Sequence, residues 1–125
     1  MEYKSIIIWS KGNLTLSWAD YQSCYEPIIY GWNGNHKFYG GRQSVDIWEI
    51  TRTRSNELHP TMKPVELMAK MINNSTLPKE LVLDPFLGSG STLIAAEQTG
   101  RVCYGIELEP RYVDVIRKRY AAFKG

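Results

Sequence analysis

The sequence predicts an α/β fold, a mixed sheet with flanking helices. Three observations predict it. Residues 1–50 hold short β-branched and aromatic runs. The rest of the chain alternates helical and strand-like periodicity with short connections. One of those connections is a tight glycine-rich turn that leads from a strand straight into a helix.

The elements follow in order. Ser5–Ser10 carries Ile6, Ile7, Ile8 and Trp9, a run with the length and residue types of a buried strand. Glu26–Trp32 reads as a second strand, with Pro27 at its start where a missing N–H does least harm. Asn33-Gly34-Asn35 marks a turn and Gly40-Gly41 another break. Val45–Ile50 alternates apolar and polar residues, as a half-buried strand does. Pro64 suits the first turn of a helix in which Val65, Met68, Met71 and Ile72 recur at helical spacing. Asn73-Asn74-Ser75 ends that helix. Glu80–Phe86 is a strand feeding the glycine turn, and Thr92–Thr99 a helix stopped by Gly100 at a left-handed cap position. Arg101–Leu108 is a further strand. Pro110 opens a last helix with Val113, Ile116, Tyr120 and Phe123 on one face. Such an alternation predicts parallel strands joined by right-handed crossovers.

At 125 residues, 43% hydrophobic and 22% charged, the chain has the composition of an ordinary globular domain or part of one. A formal charge of +2 argues neither for nor against nucleic acid, because steering needs clustered charge. Cys24 and Cys103 match no metal spacing, so no metal is expected, and a reducing compartment is the default. Cys103 sits in an apolar run and is expected as packing. The run Ile6–Trp9 is too short to be a signal peptide or a membrane span. The expected location is the cytoplasm, with no membrane contact.

The chemistry concentrates in Leu83-Asp84-Pro85-Phe86-Leu87-Gly88-Ser89-Gly90-Ser91-Thr92. Gly88 and Gly90 permit positive φ and let a ligand approach the backbone. The free N–H groups and positive end of the following helix then face that ligand. Glu107, at the tip of the next strand, follows Asp84 at close to the ~20-residue spacing of acids that hold ribose hydroxyls in nucleotide-binding α/β folds. A GxG turn with a downstream acid also occurs as a plain structural turn. Leu93 stands where a third glycine would be, which disfavours a nicotinamide dinucleotide but not an adenosine bearing an amino-acid tail.

Three runs together are more specific. DPFLGSGST (84–92) and CYGIELEPRY (103–112) resemble the cofactor-binding motifs of DNA N6-adenine and N4-cytosine methyltransferases. HPTMKPVEL (59–67) is similar to the motif that in these enzymes contacts the methionine end of S-adenosyl-L-methionine, and its place before DPFLGSGS matches the permuted β subgroup. Ile7-Ile8-Trp9, YEPIIYGW (25–32) and Asp46-Ile47-Trp48 look like later strands of the same fold. The resemblance implies a partial Rossmann-like methyltransferase domain over residues 1–125. Residues 1–50 would give later strands and residues 59–125 the cofactor motifs.

It also implies roles. Asp84 would bind near the methionine amino group, Phe86 would help wall the pocket, and the backbone of Gly88, Ser89, Gly90 and Ser91 would pack around the methionine. Glu107 would accept from the ribose hydroxyls, and Thr61 and Lys63 would hold the methionine carboxylate. The implied reaction is direct attack of an exocyclic base nitrogen on the sulfonium methyl, aided by proximity and orientation.

Members of the family carry an Asp/Asn/Ser-Pro-Pro-Tyr/Phe/Trp loop that holds the target amine and stacks on the flipped base. No Pro-Pro pair occurs here, so no catalytic residue is assigned. In the permuted order that loop would lie upstream, and the chain is expected to begin after it. The strand belonging with it would leave a gap, giving direct closure, a homodimer by strand swapping, or two open sheet edges. DNA is the expected partner through the parent protein, and a non-catalytic binding or assembly module is the alternative.

The remaining candidates are weaker. Lys37, Arg42, Arg52 and Arg54 fall in loops and are candidate phosphate contacts, against the plainer reading of a solvated surface. Arg117-Lys118-Arg119 reads as a solvated helix face. Trp32 and Trp48 read as core, or as the lining of a cavity. His36 reads as an exposed loop residue and His59 as a structural or cofactor-shell residue.

Overall fold

A computed structural model describes residues 2–52 and 62–125, and the chain divides into two compact units, residues 1–52 and 53–125. In the first, β1 (Glu2–Thr15), β2 (Ser23–Trp32) and β3 (Ile47–Glu49) form a sheet in the order β2-β1-β3. β1 runs antiparallel to β2, with Ile6 opposite Ile29 and Trp9 opposite Glu26. It runs parallel to β3, with Trp9 opposite Trp48. This sheet is therefore mixed, as expected.

Both central indoles are buried, and both N–H groups are satisfied. Trp9, 2% exposed, donates to the Ile50 carbonyl at 2.7 Å, and Trp48 donates to the Val45 carbonyl at 2.9 Å. A buried polar atom without a partner would cost about 1–3 kcal/mol, so these bonds are what make tryptophan acceptable there. Trp48 is thus core. Trp32 is half-buried, with the His36 ring stacked on it at 3.5 Å and the Lys4 ammonium 5.1 Å from its centroid.

Two sequence expectations shift here. β1 is much longer than Ser5–Ser10, because its polar ends pair with β2 through register shifts that leave no apolar alternation to read. Pro27 lies inside β2, opposite Ile8, and not at its start. It is tolerated because β2 is at the edge of this sheet.

The second unit comprises α1 (Val65–Ser75), β4 (Leu81–Asp84), α2 (Ser91–Gln98), β5 (Val102–Gly105) and α3 (Pro110–Lys124). β4 and β5 are parallel, with Asp84 opposite Gly105. Pro64 is the N-cap of α1 and precedes its first turn by one residue. Glu109 caps α3, accepting from the Arg111 N–H, with Pro110 at the first helical position. Ala95 and Ala96 of α2 are fully buried with Ile72 of α1, and Val65, Met68, Ala69, Val82 and Cys103 pack around them. Two alanines let α2 lie close to its neighbours. Gly100, at φ +74°, closes α2. Arg101 donates its N–H to the Ala96 carbonyl and Gly100 to that of Glu97, the paired bonds of a Schellman cap.

Arg101 then serves both helix ends. Its Nε and Nη2 donate to the Thr76 hydroxyl and carbonyl at 3.0 and 2.7 Å, and its Nη1 to the Thr99 carbonyl at 2.6 Å. Thr76 and Thr99 are the C-caps of α1 and α2, so one cation satisfies two helix termini at once. Arg101→Ala is expected to lower the unfolding free energy by about 2 kcal/mol, measured by urea denaturation. Arg101→Lys should recover less than half, because an ammonium cannot span three acceptors in one plane.

Candidate functional site

β4 and β5 end side by side, and the turn after β4 is tied down from both strand ends. Asp84 accepts from the Phe86 N–H at 2.9 Å through Oδ1 and from the Thr92 hydroxyl at 2.6 Å through Oδ2. Glu107, just beyond β5, accepts from the Gly88 N–H at 2.6 Å and from the Glu109 N–H at 3.0 Å. The Leu87 N–H reaches across to the Ile106 carbonyl at 2.9 Å. The turn thus carries its own hydrogen bonds and stays open as a ledge.

Gly88 and Gly90 take φ values of +59° and +89°, which L side chains rarely adopt. Gly90 is also the N-cap of α2, and a Cβ there would stand 3.1 Å from the Ile116 side chain of α3. Glycine is therefore required twice over at this position, by conformation and by space. Gly90→Ala is expected to cost about 1–3 kcal/mol, read as a lowered thermal midpoint.

A cavity of about 170 Å³ opens on the turn, lined by Lys63, Met68, Asp84, Phe86, Leu87, Gly88, Ser89, Ser91 and Thr92. The segment before α1 is joined to it because the Ser91 hydroxyl donates to the Lys63 carbonyl at 2.6 Å. Behind the turn, Arg119 of α3 donates through Nη1 to the Ser89 carbonyl at 2.9 Å, the Ser89 hydroxyl at 3.1 Å and the Ser91 hydroxyl at 3.3 Å. Burial holds the Arg119 guanidinium below its usual value. Among the described residues no cluster of His, Cys, Asp and Glu could hold a metal ion.

The structure brings together most of the residues singled out in the sequence. Lys63, Asp84, Phe86, Gly88, Ser89 and Ser91 line one cavity. Gly90 is buried at the N-cap of α2. Glu107 is not in the lining but touches it through Gly88. Thr61, His59 and Arg54 lie outside the described residues. Lys37 and Arg42 are exposed on the connection between β2 and β3, while the half-buried Arg52 donates its backbone N–H to the Lys11 carbonyl.

Sequence reasoning missed Met68, Leu87 and Thr92 as lining and misread Arg119. Arg117 and Lys118 are exposed, but Arg119 is turned inward. Its signal was its position three residues after Ile116, on the buried side of the helix.

Residues 2–118 match the DNA methylase family. The chain belongs to that family. Among curated relatives of the family, it is 33% identical over 109 residues to the type II methyltransferase M2.LlaDCHI of Lactococcus lactis subsp. cremoris, covering 84% of this chain and 40% of that protein. It is 34% identical over 112 residues to the type II methyltransferase M2.DpnII of Streptococcus pneumoniae, covering 86% of this chain and 42% of that one. The chain thus spans about two fifths of the length of these two relatives.

Among solved family structures, M1.HpyAVI superposes with a TM-score of 0.77 at 28% identity, over 94% of this chain and 59% of that one. A DNA modification methylase of Thermus thermophilus, complexed with S-adenosyl-L-methionine, superposes at 0.68 with 27% identity, over 98% of this chain and 54% of that one. The structures share the methyltransferase α/β fold.

Cys103 lies against the same core and is half-buried, whereas Cys24 is exposed. Burial, with a smaller push from the charge of Asp84, raises the Cys103 thiol above its ordinary value. A proton held more tightly in the folded state stabilises fully below the unfolded thiol's pKa, and that stability is lost as pH rises through the raised folded value. Cys24 is expected to react with Ellman's reagent at pH 8 about tenfold or more faster than Cys103. Cys103→Ala should remove the corresponding alkaline loss of stability.

Proposed function

We propose that residues 59–125 bind S-adenosyl-L-methionine as part of a DNA amino-methyltransferase acting on adenine N6 or cytosine N4, in the cytoplasm. The observation that carries this reading is one cavity lined by an ammonium, Lys63, and a carboxylate, Asp84, beside an open glycine turn. That pair of charges fits an amino-acid zwitterion, and the turn and the start of α2 fit the chain joining it to an adenosine. A volume of about 170 Å³ suits the amino-acid end alone. The nucleoside would lie outward, against Phe86, which is 88% exposed. When bound, the cofactor supplies an activated methyl group on a sulfonium.

The protein's own residues would act as follows. Lys63, with Thr61, would neutralise the carboxylate, and Asp84 would accept from the ammonium with lone pairs not used by Phe86 and Thr92. Glu107 would accept from the ribose hydroxyls while holding Gly88. DNA would be engaged by the parent protein, with Lys37, Arg42, Arg52 and Arg54 as its phosphate contacts in this chain.

Because no Pro-Pro pair is present, the chain by itself would not transfer a methyl group. Residues 1–125 would then be one truncated domain, with residues 1–50 as its later strands. The open edges of the two-stranded β4–β5 sheet would serve for a homodimer or a strand swap. The same absence favours a second reading, a non-catalytic assembly module that keeps the pocket.

Isothermal titration of the chain with S-adenosyl-L-methionine tests the proposal. Binding is expected, weakened about tenfold or more by Asp84→Ala and by Glu107→Ala, each of which removes a charge-assisted acceptor. No binding by a folded chain would overturn it. Methyl transfer to duplex DNA by the chain alone would refute both the inactive-fragment and the assembly-module readings.

A further inference from the structure

The cofactor reading leaves Arg119 unused, although it is the most heavily engaged cation of the second unit's site. Among the described residues no acidic side chain pairs with it. A guanidinium taken partly out of water without a carboxylate is costly unless something supplies negative charge nearby. Arg119 receives only the partial charges of one carbonyl and two hydroxyls, all on the glycine turn.

Those hydroxyls are also oriented by it. Guanidinium nitrogens donate and never accept, so Ser89 and Ser91 must turn lone pairs towards Arg119 and aim their O–H bonds elsewhere. For Ser91 the acceptor is the Lys63 carbonyl at 2.6 Å. Ser89 is 4% exposed, lines the cavity, and has no acceptor for its own proton among its hydrogen bonds. Its donor direction is left to the cavity. The cavity also holds Lys63, so the end that takes an anion already has one cation in its wall.

We propose that Arg119 is a positioning residue for the cofactor's carboxylate: from behind the turn it fixes the Ser89 hydroxyl as a donor into the cavity and supplies the counter-charge. The inference rests on the cofactor reading and deepens it. Arg119 touches no ligand. It acts through Ser89, and specificity for an amino-acid tail over a bare amine tail follows.

The test compares two ligands that differ only at that group, S-adenosyl-L-methionine and its decarboxylated form, by titration of the wild-type chain and of Arg119→Met, Arg119→Lys and Ser89→Ala. The wild type is expected to prefer the carboxylate-bearing ligand. Arg119→Met should weaken that ligand about tenfold or more and the decarboxylated form less than twofold, erasing the preference. Arg119→Lys should restore part of it, and Ser89→Ala should reproduce the selective loss in a variant that keeps the cation bracing the turn. Equal loss for both ligands in Arg119→Met and in Ser89→Ala would overturn the inference, since it would mean that Arg119 only folds the turn. An unchanged preference in both would overturn it as well. If Arg119→Met does not fold, Ser89→Ala decides alone. A folded wild type that binds neither ligand would refute the cofactor reading itself, and the inference with it.

Discussion

Two carboxylates at the ends of two parallel strands fold back onto the turn between them, and most of the second unit is arranged around that constraint. The turn from β4 into α2 needs left-handed backbone at Gly88 and Gly90, and it leaves N–H groups with no helical partner. Asp84 answers from one strand end and Glu107 from the other, taking up the amides of Phe86 and Gly88. Because β4 and β5 are in register, with Asp84 opposite Gly105, the two acids arrive at the turn from adjacent strands. An acid at either position alone would leave half of the turn untied.

The packing serves the same end. α2 starts at the turn, so its position sets the direction of its first N–H groups. Ala95 and Ala96 seat it against α1 and the sheet, and Arg101 fastens its far end to that of α1. α3 closes the arrangement from behind, with Ile116 against Gly90 and Arg119 on Ser89 and Ser91. A ledge fixed on three sides can present backbone donors without reorganising when a ligand arrives, and that is where affinity is gained cheaply. The first unit solves a different problem, burying two indoles whose N–H groups need carbonyls, and Val45 and Ile50 provide them.

What could be read from the residues followed their physics. Apolar period two and the glycine punctuation located β4, α2 and β5 to within a few residues, and the three motif runs pointed to one site before any distance was known. The ends of β1 were illegible because Lys11–Thr15 pairs through a bulged register with no apolar signature. Pro27 misled because an edge strand tolerates what a central strand does not. Asp84 and Glu107 were legible as acids at strand tips, but not as struts of the turn, since sequence spacing carries no information on which amide a carboxylate meets. Arg119 was hidden inside a run of three cations, where charge suggested solvent and only helical phase suggested the interior.

The most direct measurement is a 1H–15N NMR titration of the chain with S-adenosyl-L-methionine, following the backbone amides. The account predicts saturable shifts at Lys63, at the amides from Phe86 to Thr92 and at Glu107, with those of Thr76 and Thr99, at the far ends of α1 and α2, unmoved. Saturable shifts that spare the glycine turn, or no shifts in a folded chain, would contradict it.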